Sequence, residues 1–156
     1  MIYSAKFHDL VEDERRLLEE AAGVMIRAYN PVSHYEVGAA LRTVGGDVFL
    51  GTFAENSSLG LTICAEAAAI LAANTAGKRE FVTIVVVGAP GGTDGTVAVT
   101  PCGRCRQMLA DFAVIGGSPI RVICSNRTFS DVLIASSDDL LPFAFGARYL
   151  YPNRLD

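Results

Sequence analysis

The chain has 156 residues, 51% apolar and 19% charged, which is enough to build one hydrophobic core and too apolar for a disordered chain. Its formal charge of −4 argues against attachment to nucleic acid or anionic membrane by bulk charge, and no apolar run reaches the ~18 residues of a membrane span. The opening residues lack the charged and apolar regions of a secretion signal. The expected compartment is therefore the cytoplasm, where thiols stay reduced and the four cysteines point to metal or catalysis before disulfides.

No repeat, low-complexity tract or linker divides the chain, and residues 1–156 read as a single α/β domain. Residues 9–29 follow a helical period, with Leu17, Leu18, Ala21, Ala22, Met25 and Ala28 at spacings of three and four. Asp9 and Glu12 read as its capping box and Pro31 as its stop. Two apolar runs follow, 37–41 and 48–51, joined by Gly45-Gly46-Asp47, which is hairpin chemistry. After a loop at 55–60, residues 64–76 are Ala-rich and helix-favouring, with Gly77 as the closing residue. Residues 81–87 form a β-branched run suited to a strand covered on both faces. A loop at 91–95 leads to a second helix over 102–112, closed by Gly116-Gly117, and 120–124 reads as another buried strand. A helical turn or two spans 136–141, where Asp138 and Asp139 read as caps. Strands alternating with helices predict a sheet with helices on both faces, and the opening hairpin makes that sheet mixed.

Two short segments carry chemistry, Cys64-Ala65-Glu66 and Pro101-Cys102-Gly103-Arg104-Cys105, each at the start of an expected helix. Cys102 and Cys105 are three apart and share a face in a first helical turn, and Cys64 offers a third thiolate from a neighbouring helix start. Three thiolates would hold Zn²⁺ and leave the fourth position to water, as catalytic zinc requires. Glu66 lies two residues from a ligand, inside the first turn, where a carboxylate can move protons beside that water. Arg104 and Arg106 flank Cys105 and are candidates to offset the thiolate charge, with at least one expected to point inward. Two other readings stand beside this one: a closed structural zinc site with Cys124 as fourth ligand, and Cys124 as an inert core thiol on its strand.

These segments resemble the zinc-dependent cytidine deaminase family, in particular its small nucleoside enzymes, whose pattern matches Cys64-Ala65-Glu66 and Pro101-Cys102-Gly103-Arg104-Cys105-Arg106-Gln107. The likeness extends to Tyr35-Glu36-Val37-Gly38-Ala39-Ala40-Leu41, to Glu55-Asn56-Ser57-Ser58, and to Leu140-Leu141-Pro142-Phe143-Ala144-Phe145-Gly146. It implies a three-layer α/β/α sandwich with a mixed five-stranded sheet, a homotetramer, and hydrolytic loss of ammonia from C4 of a cytosine ring in cytidine or 2′-deoxycytidine. Cys64, Cys102 and Cys105 would be the zinc ligands and Glu66 the proton carrier, protonating N3 and the leaving amine. Tyr35 and Ala65 would line the nucleoside pocket, Glu55 would hold ribose, and Phe145 would reach a neighbouring subunit's site.

Two positions depart from the family pattern. Phe53 stands where the family carries an asparagine that, with the glutamate at Glu55, holds the ribose hydroxyls. A hydroxyl left unpaired in a buried pocket costs about 1–3 kcal/mol. Ala67 stands where many members carry an arginine facing a zinc thiolate, a feature shared with the similar blasticidin S deaminases, and Arg104 would take over that role. The alternative substrates are therefore a modified cytosine nucleoside or another aminated heterocycle. A non-catalytic zinc-stabilised module is the reading from a different class. His8 and His34 lie outside the signature and read as surface residues, and the 91–95 loop lacks the ending of a phosphate loop. Phe143, Tyr149 and Tyr151 read as packing or subunit contacts. The acidic chain shows no interleaved basic and aromatic stretch for single-stranded nucleic acid.

Overall fold

In the computed structural model, which describes residues 1–150 (147 and 148 by backbone only), the β-branched run of the sequence becomes the middle of a mixed sheet. The elements in chain order are β1 (Tyr3–Ala5), α1 (Glu12–Met25), β2 (Tyr35–Thr43), β3 (Val48–Thr52), α2 (Ala65–Thr75), β4 (Phe81–Pro90), α3 (Gly103–Ile115), β5 (Arg121–Asn126), β6 (Val132–Ser136), α4 (Ser137–Leu140) and α5 (Ala147–Leu150). The strands lie in the order β1-β6-β5-β4-β2-β3, with β4 and β5 parallel and every other neighbouring pair antiparallel. Six strands stand where the resemblance implies five. The additional strand β1 has three residues, too few to show a period in sequence, and it exists through its ladder to β6, with Tyr3 opposite Ile134.

Both faces of the sheet are covered. On one, Leu17, Leu18, Ala21 and Met25 of α1 pack on Ala40, Val85, Val87 and Ile123. On the other, Ala69, Ile70 and Ala73 of α2 and Leu109 and Ala113 of α3 pack on Ala39, Leu41, Ile84 and Val122. The alternation of Ala39 and Leu41 against Ala40 is the period of two that a strand imposes. Two glycines let the helices settle on the hairpin. A Cβ on Gly38 would overlap the Ala21 carbonyl of α1, and one on Gly51 would overlap the Ala65 carbonyl and Ala69 amide of α2. Gly51 thus fixes the depth at which α2, and with it Glu66, lies on the sheet.

The first helix differs from expectation at both ends. Asp9 belongs to a 3₁₀ turn, Phe7–Asp9, and the cap of α1 is Val11, whose side chain makes no capping bond. Leu10 is buried in the core, and that anchor separates the turn from the helix. The helix ends at Met25, before residue 29 and Pro31, because Tyr29 pairs with Ala54: its amide donates to the Phe53 carbonyl and its carbonyl accepts from the Glu55 amide. The cap of α4 is Ser136 in a capping box with Asp139, so Asp139 is the reciprocal partner rather than the cap itself.

Register places the site. Tyr35 lies opposite Pro90, Gly38 opposite Thr52, and Gly88 beside Asn126. The start of β2 and the ends of β3, β4 and β5 therefore share one edge of the sheet, and the chain leaving β3 and β4 there enters α2 and α3.

Candidate active site

Cys64 and Cys102 are the N-cap residues of α2 and α3, each with extended backbone (ψ 152° and 167°), and Cys105 sits in the first turn of α3. The three sulfurs lie within 4.8 Å of one another, with Cys64 Sγ 3.6 Å from Cys102 Sγ. Tetrahedral bonds of ~2.3 Å from zinc to sulfur put ligand sulfurs about 3.8 Å apart, so the donor set and its spacing fit Zn²⁺. Cys105 is buried, Cys64 half-buried and Cys102 exposed, which leaves the cluster open on one side. Exposed amides of two helix N-termini favour thiolates there. The Cys64 thiol is pulled down to about 6, first by a hydrogen bond from Cys105, then by Cys102 and the Arg104 charge. Cys105, the donor to Cys64, is pushed upward by that bond and by burial.

Among the described residues, Cys124 is not part of the cluster. It is 2% exposed in the core beneath α2 and α3, and burial pushes its thiol up to about 12. The four-cysteine closed site is thereby left without its fourth ligand.

Glu66 occupies the first turn of α2 and is 4% exposed. Burial, reinforced by the Cys64 thiolate, raises its carboxyl to about 7. Its charge also reaches the thiols of Cys105 and Cys124. A buried carboxyl beside an open donor set can hold or release a proton with little driving force either way, which suits general acid–base work.

The two arginines are placed differently. Arg104 is exposed, donates to the Thr62 carbonyl at 3.3 Å, and its charge is felt at Cys64. Arg106 turns inward, but toward backbone: it donates to the Pro101 carbonyl at 2.7 Å and to the Leu140 carbonyl at 3.4 Å. It braces the residue before Cys102, and its charge is felt at Cys124.

Tyr35 is half-buried at the sheet edge, its phenol raised by burial, and lines a cavity of about 440 Å³ with Pro90 and residues 93–97. Phe53 is half-buried, and its amide donates to the Val37 carbonyl. Ala65, the first residue of α2, is fully buried. Glu55 is buried, and its carboxylate accepts from the Val32 amide at 2.8 Å and the Ser33 amide at 3.1 Å; the Ser33 side chain first, and then these amides, hold it below the usual carboxylate range. Sequence reasoning passed over Val32 and Ser33, because backbone donors more than twenty residues away leave no mark in residue type. Phe145 is exposed and stacked on Tyr149, and its carbonyl accepts from Gln107 at 2.6 Å. Phe143 is fully exposed, His8 and His34 are exposed, and Tyr151 lies outside the described residues.

Comparison with known proteins agrees with this geometry. Residues 11–116 match the family described as the cytidine and deoxycytidylate deaminase zinc-binding region. The chain is 38% identical to a cytidine deaminase of Halalkalibacterium halodurans over 136 residues, covering 87% of this chain and 96% of that one. It is 34% identical to a blasticidin-S deaminase of Bacillus cereus over 111 residues, 69% of this chain and 79% of that one. The crystal structure of cytidine deaminase from Burkholderia pseudomallei superposes with a TM-score of 0.75 at 38% identity, covering 87% of this chain and all of that one.

Proposed function

The chain belongs to the family of the cytidine and deoxycytidylate deaminase zinc-binding region, and from that premise we propose that it hydrolyses cytidine and 2′-deoxycytidine to the uridine nucleosides and ammonia. The observation that carries the reading is the gathering of the Cys64, Cys102 and Cys105 sulfurs at two helix starts with the buried Glu66 beside them.

Cys64, Cys102 and Cys105 would hold Zn²⁺, which would supply Lewis acidity toward the attacking water. The remaining steps belong to the chain. Glu66 accepts a proton from the attacking water and delivers it to ring N3 as oxygen bonds to C4. It then carries the second proton of that water to the amino group, and the C4–N bond breaks to release ammonia. Burial of Glu66 keeps bulk water from competing for these protons. Tyr35 bounds the nucleoside, Ala65 is closed off in the core beneath it, and Glu55 reaches the sugar with the lone pairs that Val32 and Ser33 leave free. Phe53 offers this pocket an apolar surface and no hydrogen bond. The cytidine deaminase of Halalkalibacterium halodurans matches over more of the chain than the blasticidin-S deaminase of Bacillus cereus does, and supports cytidine ahead of blasticidin S as substrate.

The assembly is a homotetramer in this reading. Tyr29, Val32, Leu59 and Leu61, on the segments flanking Glu55 and Cys64, and Phe145 are exposed apolar residues, which supports their burial between copies.

Arg104 compensates thiolate charge from the solvent side. Arg104→Ala is expected to weaken zinc binding by about tenfold, the low end for residues that act through a ligand. Chelator competition measures it, and an unchanged affinity would remove Arg104 from that role. The function itself is tested by ammonia release from the zinc-loaded protein given cytidine, deoxycytidine, cytosine and blasticidin S in parallel. Turnover of the first two is expected. Silence on both, in protein carrying its zinc, would overturn the reading.

A further inference from the structure

The connection between β4 and α3 carries Cys102 at its end and lines the Tyr35 cavity with residues 93–97, and it is held by the hairpin between β5 and β6. Three successive carbonyls of the connection are captured there. The Thr93 carbonyl accepts from Arg127 Nε at 2.7 Å, the Asp94 carbonyl from the Arg127 amide at 3.1 Å, and the Gly95 carbonyl from Asn126 Nδ2 at 3.0 Å. Further along, the Ala98 amide donates to Asp131 Oδ2 at 2.7 Å. Arg127 does more than hold the loop, because its Nη2 also donates to Glu36 Oε2. Glu36 follows Tyr35 in β2, so one guanidinium ties the connection that lines the cavity to the strand that carries Tyr35.

We infer that Arg127, seated by Asn126, is a positioning residue that sets the width of the Tyr35 cavity and thereby the affinity for the nucleoside. The role rests on the deaminase reading above. Arg127 suits it because a planar guanidinium donates in two fixed directions at once, whereas a lysine ammonium is a single point charge. Its side chain and that of Glu36 are only 26% and 22% exposed, so water screens the pair weakly. Asn126 cannot turn away. It is fully buried, its amide nitrogen also donates to Ser130 Oγ at 2.7 Å, and its Oδ1 accepts from the Ser130 and Asp131 amides at 3.0 and 3.2 Å. The near end of the connection is closed by the Gly91 amide donating to the His34 carbonyl at 2.6 Å. Residues 93–97, which line the cavity, are thus the wall these ties hold in place.

The test compares wild type, Arg127→Gln, Arg127→Lys and Glu36→Gln by steady-state kinetics on cytidine, zinc content, and amide hydrogen exchange over residues 91–98. Arg127→Gln is expected to raise KM about tenfold with kcat within about twofold and zinc content unchanged. Exchange in the connection should quicken about tenfold. Arg127→Lys should behave like Arg127→Gln, since charge without the fork does not span the cavity. Glu36→Gln should show the same pattern at smaller size, and it carries the test if Arg127→Gln folds poorly. A fall in kcat with unchanged KM would mean a merely structural residue and overturn the inference, as would unaltered exchange. A wild type inert on cytidine would strike the functional reading instead, and the exchange pattern would then decide by itself whether the latch exists.

Discussion

Glu66→Gln is expected to lower kcat about 10³–10⁴-fold while zinc content, fold and KM stay close to those of the wild type. Positioned general acid–base groups contribute typically about 10²–10⁴, and Glu66 is placed at the upper end because one carboxylate serves the water, the ring nitrogen and the leaving amine. The amide has the same shape and keeps its place in the first turn of α2, so the thiolates are undisturbed, but it cannot take up and release a proton. At 4% exposure no bulk water stands in for it. Glutamine is the right test because alanine would open a cavity beside the cluster and confuse loss of chemistry with loss of packing. Ammonia release, with zinc assayed in the same samples, measures it. A loss under about tenfold would show that another group carries the protons.

Cys105→Ala has the other large effect, and it is lost metal rather than lost proton transfer. Cys105 is the buried member of the three-sulfur cluster and lies in the first turn of α3. Its replacement leaves Cys64 and Cys102, two donors at the exposed side. Binding of structural zinc is worth about 10–16 kcal/mol across four ligands, so one ligand carries about 2.5–4 kcal/mol, or about 10²–10³ in affinity. The variant should lose its zinc to a modest chelator that leaves the wild type loaded, and its activity should fall to background. Cys124→Ala is the control. Cys124 is equally buried but outside the cluster, so that variant should be less stable through its cavity and keep its zinc. Zinc retention in Cys105→Ala, or zinc loss in Cys124→Ala, would mean the ligand set is drawn wrongly.

Much of this protein was legible in residue order because it is encoded over short range. The period of Leu17, Leu18, Ala21 and Met25 needs only one helix to express it, and the run that became β4 declares burial on both faces by its own composition. The cysteine segments are local too. A thiolate at an N-cap and a carboxylate in the following turn depend on three consecutive residues, so Cys64-Ala65-Glu66 announces both the site and the boundary of α2. The spacing of Cys102 and Cys105 likewise announces the start of α3.

What tertiary structure decided was every feature whose partner is remote. Strand β1 exists because β6 offers an edge, and the end of α1 is set by Tyr29 pairing with Ala54 rather than by Pro31. The meeting of Cys64 with Cys102 depends on two helices lying side by side on a sheet whose depth Gly51 sets. Glu55 is held by backbone amides, Arg106 braces a carbonyl, and Arg127 joins Glu36 across 91 positions of chain. The sequence by itself determined the longer helices, the strands β2 to β5, the candidate donor atoms and the class of chemistry, since periodicity, capping and ligand type are properties of neighbouring residues; it did not mark β1 or β6. Only the folded chain decided which groups meet and which are already spoken for, because hydrogen bonds to backbone and pairings across the sheet are indifferent to distance along the chain and leave no pattern in it.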